Sequence, residues 1–202
     1  MTRLEVLVEE PSMEAALREV MPKILHGRAH WKSINMGSKS KLLKALPDRL
    51  RAYRIRINNG EDLKIIVLVD QDSENCEQLK HRLETIARKA GLTTKTAANS
   101  QGDFQVVTRI AIEELEAWFM GDVDALKSAF TSLRGVNFPG NFSNPDNGGT
   151  WERLHHFLKR HGIYRKSYPK IKAARQIAKH MEPGRNRSRS FQSFLQGVEA
   201  CL

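Results

Sequence analysis

The chain has 202 residues and a formal net charge of +10 at pH 7, from 33 Lys and Arg against 23 Asp and Glu. That length predicts one domain with a small C-terminal extension and a core that needs no disulfide or metal staple. Cys76 and Cys201 lack a Cys-x-x-Cys spacing, the longest apolar run (residues 65–69) is far short of the ~20 residues of a membrane helix, and Glu5, Glu9 and Glu10 are the wrong chemistry for a secretory signal, so a soluble, reducing, cytoplasmic setting is expected.

Residues 4–8 (LEVLV) are predicted as a buried strand, almost continuously apolar, that stops at Glu9 and Glu10. From Ser12, Glu14 and the Ala15-Ala16-Leu17 run, a helix is expected to end near Gly27, with Pro22 as a candidate kink. Residues 30–36 read as a weaker strand and 37–40 as a loop. Residues 41–53 read as a helix whose Leu42, Leu43, Leu46 and Leu50 form one apolar face. After the Asn58-Asn59-Gly60 turn, residues 63–69 make the best strand, apolar as a central parallel strand is, and run into Asp70 and Asp72. Residues 74–91 follow as a helix stopped by Gly91. Residues 104–112 form a strand that ends in Glu113-Glu114-Leu115-Glu116. The turn-rich stretch 138–149 borders an extension in which 151–160, 168–180 and 188–202 read as amphipathic helices. The expected organisation is therefore an α/β domain over 1–137, a connection over 138–150 and a basic helical extension over 151–202 packed on the same domain.

The basic excess is C-terminal: residues 151–202 carry 12 Lys and Arg against 3 Asp and Glu, residues 1–150 carry 21 against 20. Such asymmetry points to a polyanionic partner, nucleic acid first, or to a solvated face. In open α/β sheets the ligand site lies outside the carboxyl ends of the strands, where Glu9, Asp70, Asp72 and Glu113 to Glu116 all fall. Residues two apart in extended backbone share a side, so Asp70 and Asp72 are expected to aim at one point with Gln71 turned away. Mg²⁺ takes one or two carboxylates plus water and phosphate, which suits phosphoester chemistry. The competing reading is that each acid caps the next helix.

Other groups carry less. His155, His156, His161 and His180 match no standard metal spacing. Gly37-Ser38-Lys39-Ser40 lacks the first glycine of a phosphate loop. Trp118 and Trp151 read as core anchors before base-stacking platforms. Ser188 is placed to cap the last helix, where Arg185, Arg187 and Arg189 would add charge to an anion site; otherwise these arginines pair with the strand-end acids and order the tail. Lys39 and Lys41 join the arginines on the nucleic-acid side.

The strand-Glu at Val8-Glu9, the strand-Asp-x-Asp at Val69 to Asp72 and the later acidic segment resemble the Toprim fold of topoisomerases, primases and nucleases. Leu7-Val8-Glu9 with Glu14, Leu42 to Pro47, Leu68 to Asp72, Glu114 to Trp118, Tyr168-Pro169-Lys170 and Asn186 to Phe191 together resemble the prokaryotic Toprim-like family called domain of unknown function 4276. The resemblance implies an open, mostly parallel sheet and a Mg²⁺ (or Mn²⁺) site acting on DNA or RNA. In it Asp70 and Asp72 would be ligands, Glu9 a general acid or base or a second ligand, and Glu114 and Glu116 would complete a second position. It further implies company with ATPases and mobile-element or phage defence. Where Toprim proteins follow the strand-Glu with glycine, this chain has Glu10-Pro11, which leaves two readings: a metal-dependent nuclease, or a non-catalytic nucleic-acid-binding or regulatory subunit of an ATPase-containing complex.

Overall fold

Four parallel strands form one sheet in the computed structural model of the chain, which describes residues 1–98, 102–147 and 149–202. They are β1 (Arg3–Val8), β2 (His30–Asn35), β3 (Leu63–Asp70) and β4 (Val106–Ala111), in spatial order β2-β1-β3-β4. The central strands β1 and β3 are apolar runs because both of their faces are covered. The register sets Val8 opposite Asn35 and Leu68, and Asp70 opposite Ala111. Glu9 thus emerges beside the last residues of β3.

Each strand except β4 is followed by a crossover helix: α1 (Pro11–Leu25), α2 (Lys39–Asn58) and α3 (Cys76–Lys89). Alternate strand side chains divide the core. Leu4, Val6 and Val8 pack in one cluster with Met13 and Leu17 of α1, while Leu7, Ile65 and Val67 pack in another with Leu46 of α2 and Leu83 of α3. So α1 leaves β1 toward one face and α3 leaves β3 toward the other. The loops after β1 and β3 diverge there, the topological switch point where ligands of open α/β sheets bind.

Among the described residues five further α-helices follow: α4 (Glu116–Met120), α5 (Val123–Ala129), α6 (Thr150–Arg160), α7 (Lys170–Ala178) and α8 (Arg189–Glu199). Ile177 of α7 and Phe194 of α8 belong to the same cluster as β1 and α1, so the basic C-terminal helices help build the core on one sheet face. Trp118 of α4 anchors them, its ring 5.1 Å from those of both Phe191 and Phe194. Gly197 lets α8 reach β4: a Cβ there would lie 2.9 Å from Val107 Cγ1.

The α/β class with a parallel sheet and flanking helices is as the sequence predicts. Two local details differ. α2 starts at Lys39, capped by Ser38, whose Oγ accepts the Lys41 N–H, and it runs through Pro47 to Asn58. Pro22 lies inside α1, within the helix expected there. The stretch 117–137, left without elements by periodicity, holds α4 and α5, too short to show a helical period. Of the turn-rich stretch 138–149, Gly148 lies outside the described residues. Among the described residues no helix is long and apolar enough to cross a membrane.

Candidate functional site

Three buried carboxylates lie toward the switch point, two at strand ends and one in the helix that follows β4. Glu9 directly follows β1, and its Oε1 accepts the backbone N–H of Asp70. Asp70 ends β3, is 4% exposed, and its Oδ1 is buried without a hydrogen-bond partner. Glu116 opens α4 after β4 and is 2% exposed. An orphaned, desolvated carboxylate oxygen is costly unless it is protonated or meets a cation. Burial pushes Glu9 up to about 7, against the Asp70 N–H and the Lys39 charge. Burial also raises Glu116 to about 7, with Lys170 opposing. Asp70 is held well above the carboxylate range by burial, then by Glu9, Glu10, Glu116 and Asp72 in that order.

The chain supplies two ammonium groups to this negative centre. Lys39 Nζ lies 2.5 Å from Asp72 Oδ2 and 3.3 Å from Glu74 Oε1, and donates to the Gln71 carbonyl at 3.1 Å. Burial alone would weaken its proton affinity, but Asp72 carries it above the ordinary value. Lys170, entering from the start of α7, lies 3.8 Å from Glu114 Oε1. Burial opposes its charge too, and Glu116, Glu10, Glu114 and Asp70 more than offset it. The Tyr168 hydroxyl is buried beside Glu116, and burial and that charge raise its pKa.

Asp70 and Asp72 do not share a side. The chain leaves β3 after Asp70, and Asp72 sits at φ 52, a left-handed backbone that turns its half-exposed carboxylate to Lys39. Gln71 is not idle: its Oε1 accepts the Glu113 N–H at 3.2 Å and its Nε2 donates to Glu74, tying the loops after β4 and β3 together. Glu10 is extended (φ −137), so its place needs no glycine, and Pro11 takes the first helical position of α1. Its charge acts on Glu9, Asp70 and Glu116, which makes it part of the acid cluster.

Glu113, Glu114 and Arg185 are engaged in the fold. Glu113 accepts the Gly149 N–H at 2.9 Å, and Glu114 accepts the Trp151 N–H and the Thr150 hydroxyl, both at 3.2 Å. Together they cap α6, a helix more than thirty residues further along rather than the next one. Arg185 makes a two-pronged pair with Asp122, at 2.8 and 3.0 Å, in place of any strand-end acid. Ser188 caps α8 as expected, its Oγ accepting the Phe191 N–H. The anion at that helix start is internal: Asp146 accepts the Arg189 N–H at 2.7 Å and both the Ser188 and Ser190 hydroxyls. Arg187 and Arg189 are exposed, as is Lys41. Sequence reasoning missed Lys170 as a residue beside these acids, although Tyr168-Pro169-Lys170 stood out as a motif.

Fold and site together define an α/β protein with a carboxylate centre at its sheet switch point. The chain belongs to the family described as a domain of unknown function (DUF4276), whose model matches residues 8–199. No curated protein matches it. Among solved structures it is similar to the C-terminal region of the Burkholderia pseudomallei OLD protein, at 13% identity over 100% of both chains with a TM-score of 0.47. Two structures of the C-terminal region of the Xanthomonas campestris pv. campestris OLD protein are also similar. One has 12% identity over 100% and 96% of the two chains, TM-score 0.49; the other has 13% over 99% and 94%, TM-score 0.45.

Among the described residues, no three His, Cys, Asp or Glu side chains stand close enough to hold one ion. Mg²⁺ asks for fewer, normally one or two carboxylates with water completing its shell. The donor set of Glu9 and Asp70, all hard oxygen with one buried oxygen unpartnered, fits such a cation.

Proposed function

We propose that the chain is a metal-dependent, Toprim-like nuclease acting on nucleic-acid phosphodiesters. The observation that carries this reading is the buried, unpartnered Asp70 Oδ1 at the switch point, with Glu9 bonded to the Asp70 N–H beside it. Asp70 and Glu9 would hold Mg²⁺ or Mn²⁺, with Glu116 behind them and Asp72 at the rim. A bound divalent cation supplies charge neutralisation at phosphate and a water of lowered pKa. The Asp70 N–H fixes the orientation of Glu9, whose carboxyl burial makes reluctant to ionise, so that a cation facing it would favour the charged, ligating form. Lys39 locks Asp72 and Glu74 in place on one side, and Lys170 limits the repulsion on the other.

Hydrolysis of plasmid and of RNA with Mg²⁺ or Mn²⁺, beside calorimetric titration of the same ions, tests this. Asp70→Asn should abolish saturable ion binding and lower hydrolysis at least a hundredfold, on the scale of losing a transition-state charge stabiliser (about 2.7 kcal/mol or more). Full hydrolysis by that variant would remove Asp70 from the reaction. A second reading, a non-catalytic nucleic-acid-binding or regulatory subunit of an ATPase-containing defence complex, draws on the spread of the acids beyond the reach of one shared ion. It predicts no Asp70-dependent ion binding at all.

A further inference from the structure

A basic helix face lies beside the acid site. Helix α7 buries Ala173, Ala174, Ile177 and Ala178 and exposes Ile171, Lys172 and Arg175, with Lys179 exposed at its C-cap. The exposed set lines an open groove of about 1000 Å³ between α7 and α1, in which Glu19 is the one acidic lining residue. Lys172, Arg175 and Lys179 form no ion pair with any described residue, unlike Lys39, Lys170 and Arg185.

At the N-terminal end of α7 this groove continues into a second hollow of about 460 Å³, and the two share Tyr168 and Lys170. Trp151 and His155 line the second hollow. They are four apart on α6, hence on one face, and their rings are nearly parallel at 19° with centroids 6.4 Å apart. His155 also meets Tyr168 at 5.6 Å. Unlike Trp118, Trp151 is only half-buried, so this indole is not spent on the core. Lys170, shared by both hollows, is the residue whose charge reaches Asp70 and Glu116.

We propose that this strip, from Trp151 and His155 past Lys170 to Lys172, Arg175 and Lys179, is a binding track for single-stranded nucleic acid. Unpaired cations take the phosphates, and the aromatic pair takes an unstacked base. A duplex offers phosphates but no free base face, so aromatic rings in line with a cationic groove favour the single strand. Exposed Ile171, 47% accessible amid the cations, adds an apolar contact of use to bases and of none to phosphate. The proposal rests on the acid site being one for nucleic acid and names its substrate class. The track delivers a strand to Lys170 and so to the edge of the carboxylate centre.

Fluorescence anisotropy of a short labelled oligothymidylate, against the matching duplex, tests it in EDTA over a range of salt. The single strand should bind more tightly than the duplex. The triple variant Lys172→Ala, Arg175→Ala, Lys179→Ala should flatten the slope of log affinity against log salt by up to ~2.1, at about 0.7 per single-strand phosphate. Trp151→Ala should weaken single-strand binding roughly 5- to 140-fold, the worth of one stacked base, and Trp151→Phe should restore most of it. Equal or tighter duplex binding, an unchanged salt slope, or indifference to Trp151→Ala overturns the track. Binding is read without metal, so the two proposals fail separately. A chain that binds the strand but hydrolyses nothing retires the nuclease and keeps the track. A chain that cuts duplex yet ignores single strands does the reverse.

Discussion

Glu116→Gln removes a charge from the driest part of the acid site while keeping the side chain's size. In the folded chain burial makes Glu116 hold its proton to about pH 7 in place of the ordinary 4.5, although Lys170 pulls the other way. The unfolded chain releases that proton near 4.5. Between these values the unfolded state therefore binds fewer protons than the native one, and stability falls as pH rises. At about 1.4 kcal/mol per pH unit, the loss comes to about 3 kcal/mol, absent below 4.5 and complete above 7. Glutamine cannot ionise. The variant should match the parent near about pH 4 and exceed it by about 3 kcal/mol near about pH 8. Urea unfolding in EDTA across that range, with stability taken from midpoint and slope, measures the difference. Glu9, raised to about 7 chiefly by burial, remains in both proteins, so both should still lose stability as pH rises. A difference that does not change with pH refutes the burial argument. A variant weaker than its parent at high pH would mean that attraction to Lys170 outweighs burial.

Asp122→Ala should cost about 2–4 kcal/mol in the same assay, because this buried carboxylate caps α5 at the Ala125 N–H, accepts the Glu182 N–H and holds Arg185. Arg185→Ala should cost about 1 kcal/mol, since the guanidinium is partly exposed and Asp122 keeps its two backbone donors. Asp146→Ala should cost about 1–2 kcal/mol and vacate the start of α8, so added sulfate should restore part of the loss in the variant and nothing in the parent.

The strand ends were readable in the sequence because a buried parallel strand is an apolar run and a carboxylate cannot continue it. Residues 4–8 and 63–69 break at Glu9 and Asp70 for that reason, and those two residues meet in the structure. What lay beyond the strand ends was not readable. The same-side argument for Asp70 and Asp72 assumes extended backbone, which ends at Asp70; the left-handed turn at Asp72 is set by the pairing of its N–H with the Glu113 carbonyl. Capping as the bland role of Glu113 and Glu114 was sound in kind, but the capped helix, α6, is distant in sequence and only the fold brings it there. Arg185 was set against the strand-end acids because its partner, Asp122, precedes it by some sixty residues and carries no local sign of that pairing. Lys39 read as a phosphate contact for want of any local sign that α2 would start beside the loop after β3.

The distribution of charge explains why a cation belongs in the proposed mechanism. Glu9, Glu10, Asp70, Asp72 and Glu116 act on one another across the switch point. Lys39 uses its donors on Asp72, Glu74 and the Gln71 carbonyl, and Lys170 stands nearest to Glu114, so neither satisfies Asp70 Oδ1. A chain with a net charge of +10 does not lack cations. It keeps Lys172, Arg175 and Lys179 on an outer face and leaves the centre rich in carboxyls. In the proposed mechanism a phosphodiester would be drawn to that face by Coulomb attraction and would meet at Asp70 a carboxyl that burial keeps from ionising. Among the described residues neither Lys39 nor Lys170 pairs with Asp70, so in the proposed mechanism a divalent ion held by Asp70 and Glu9 would let the carboxyl ionise and would supply the charge that neutralises phosphate.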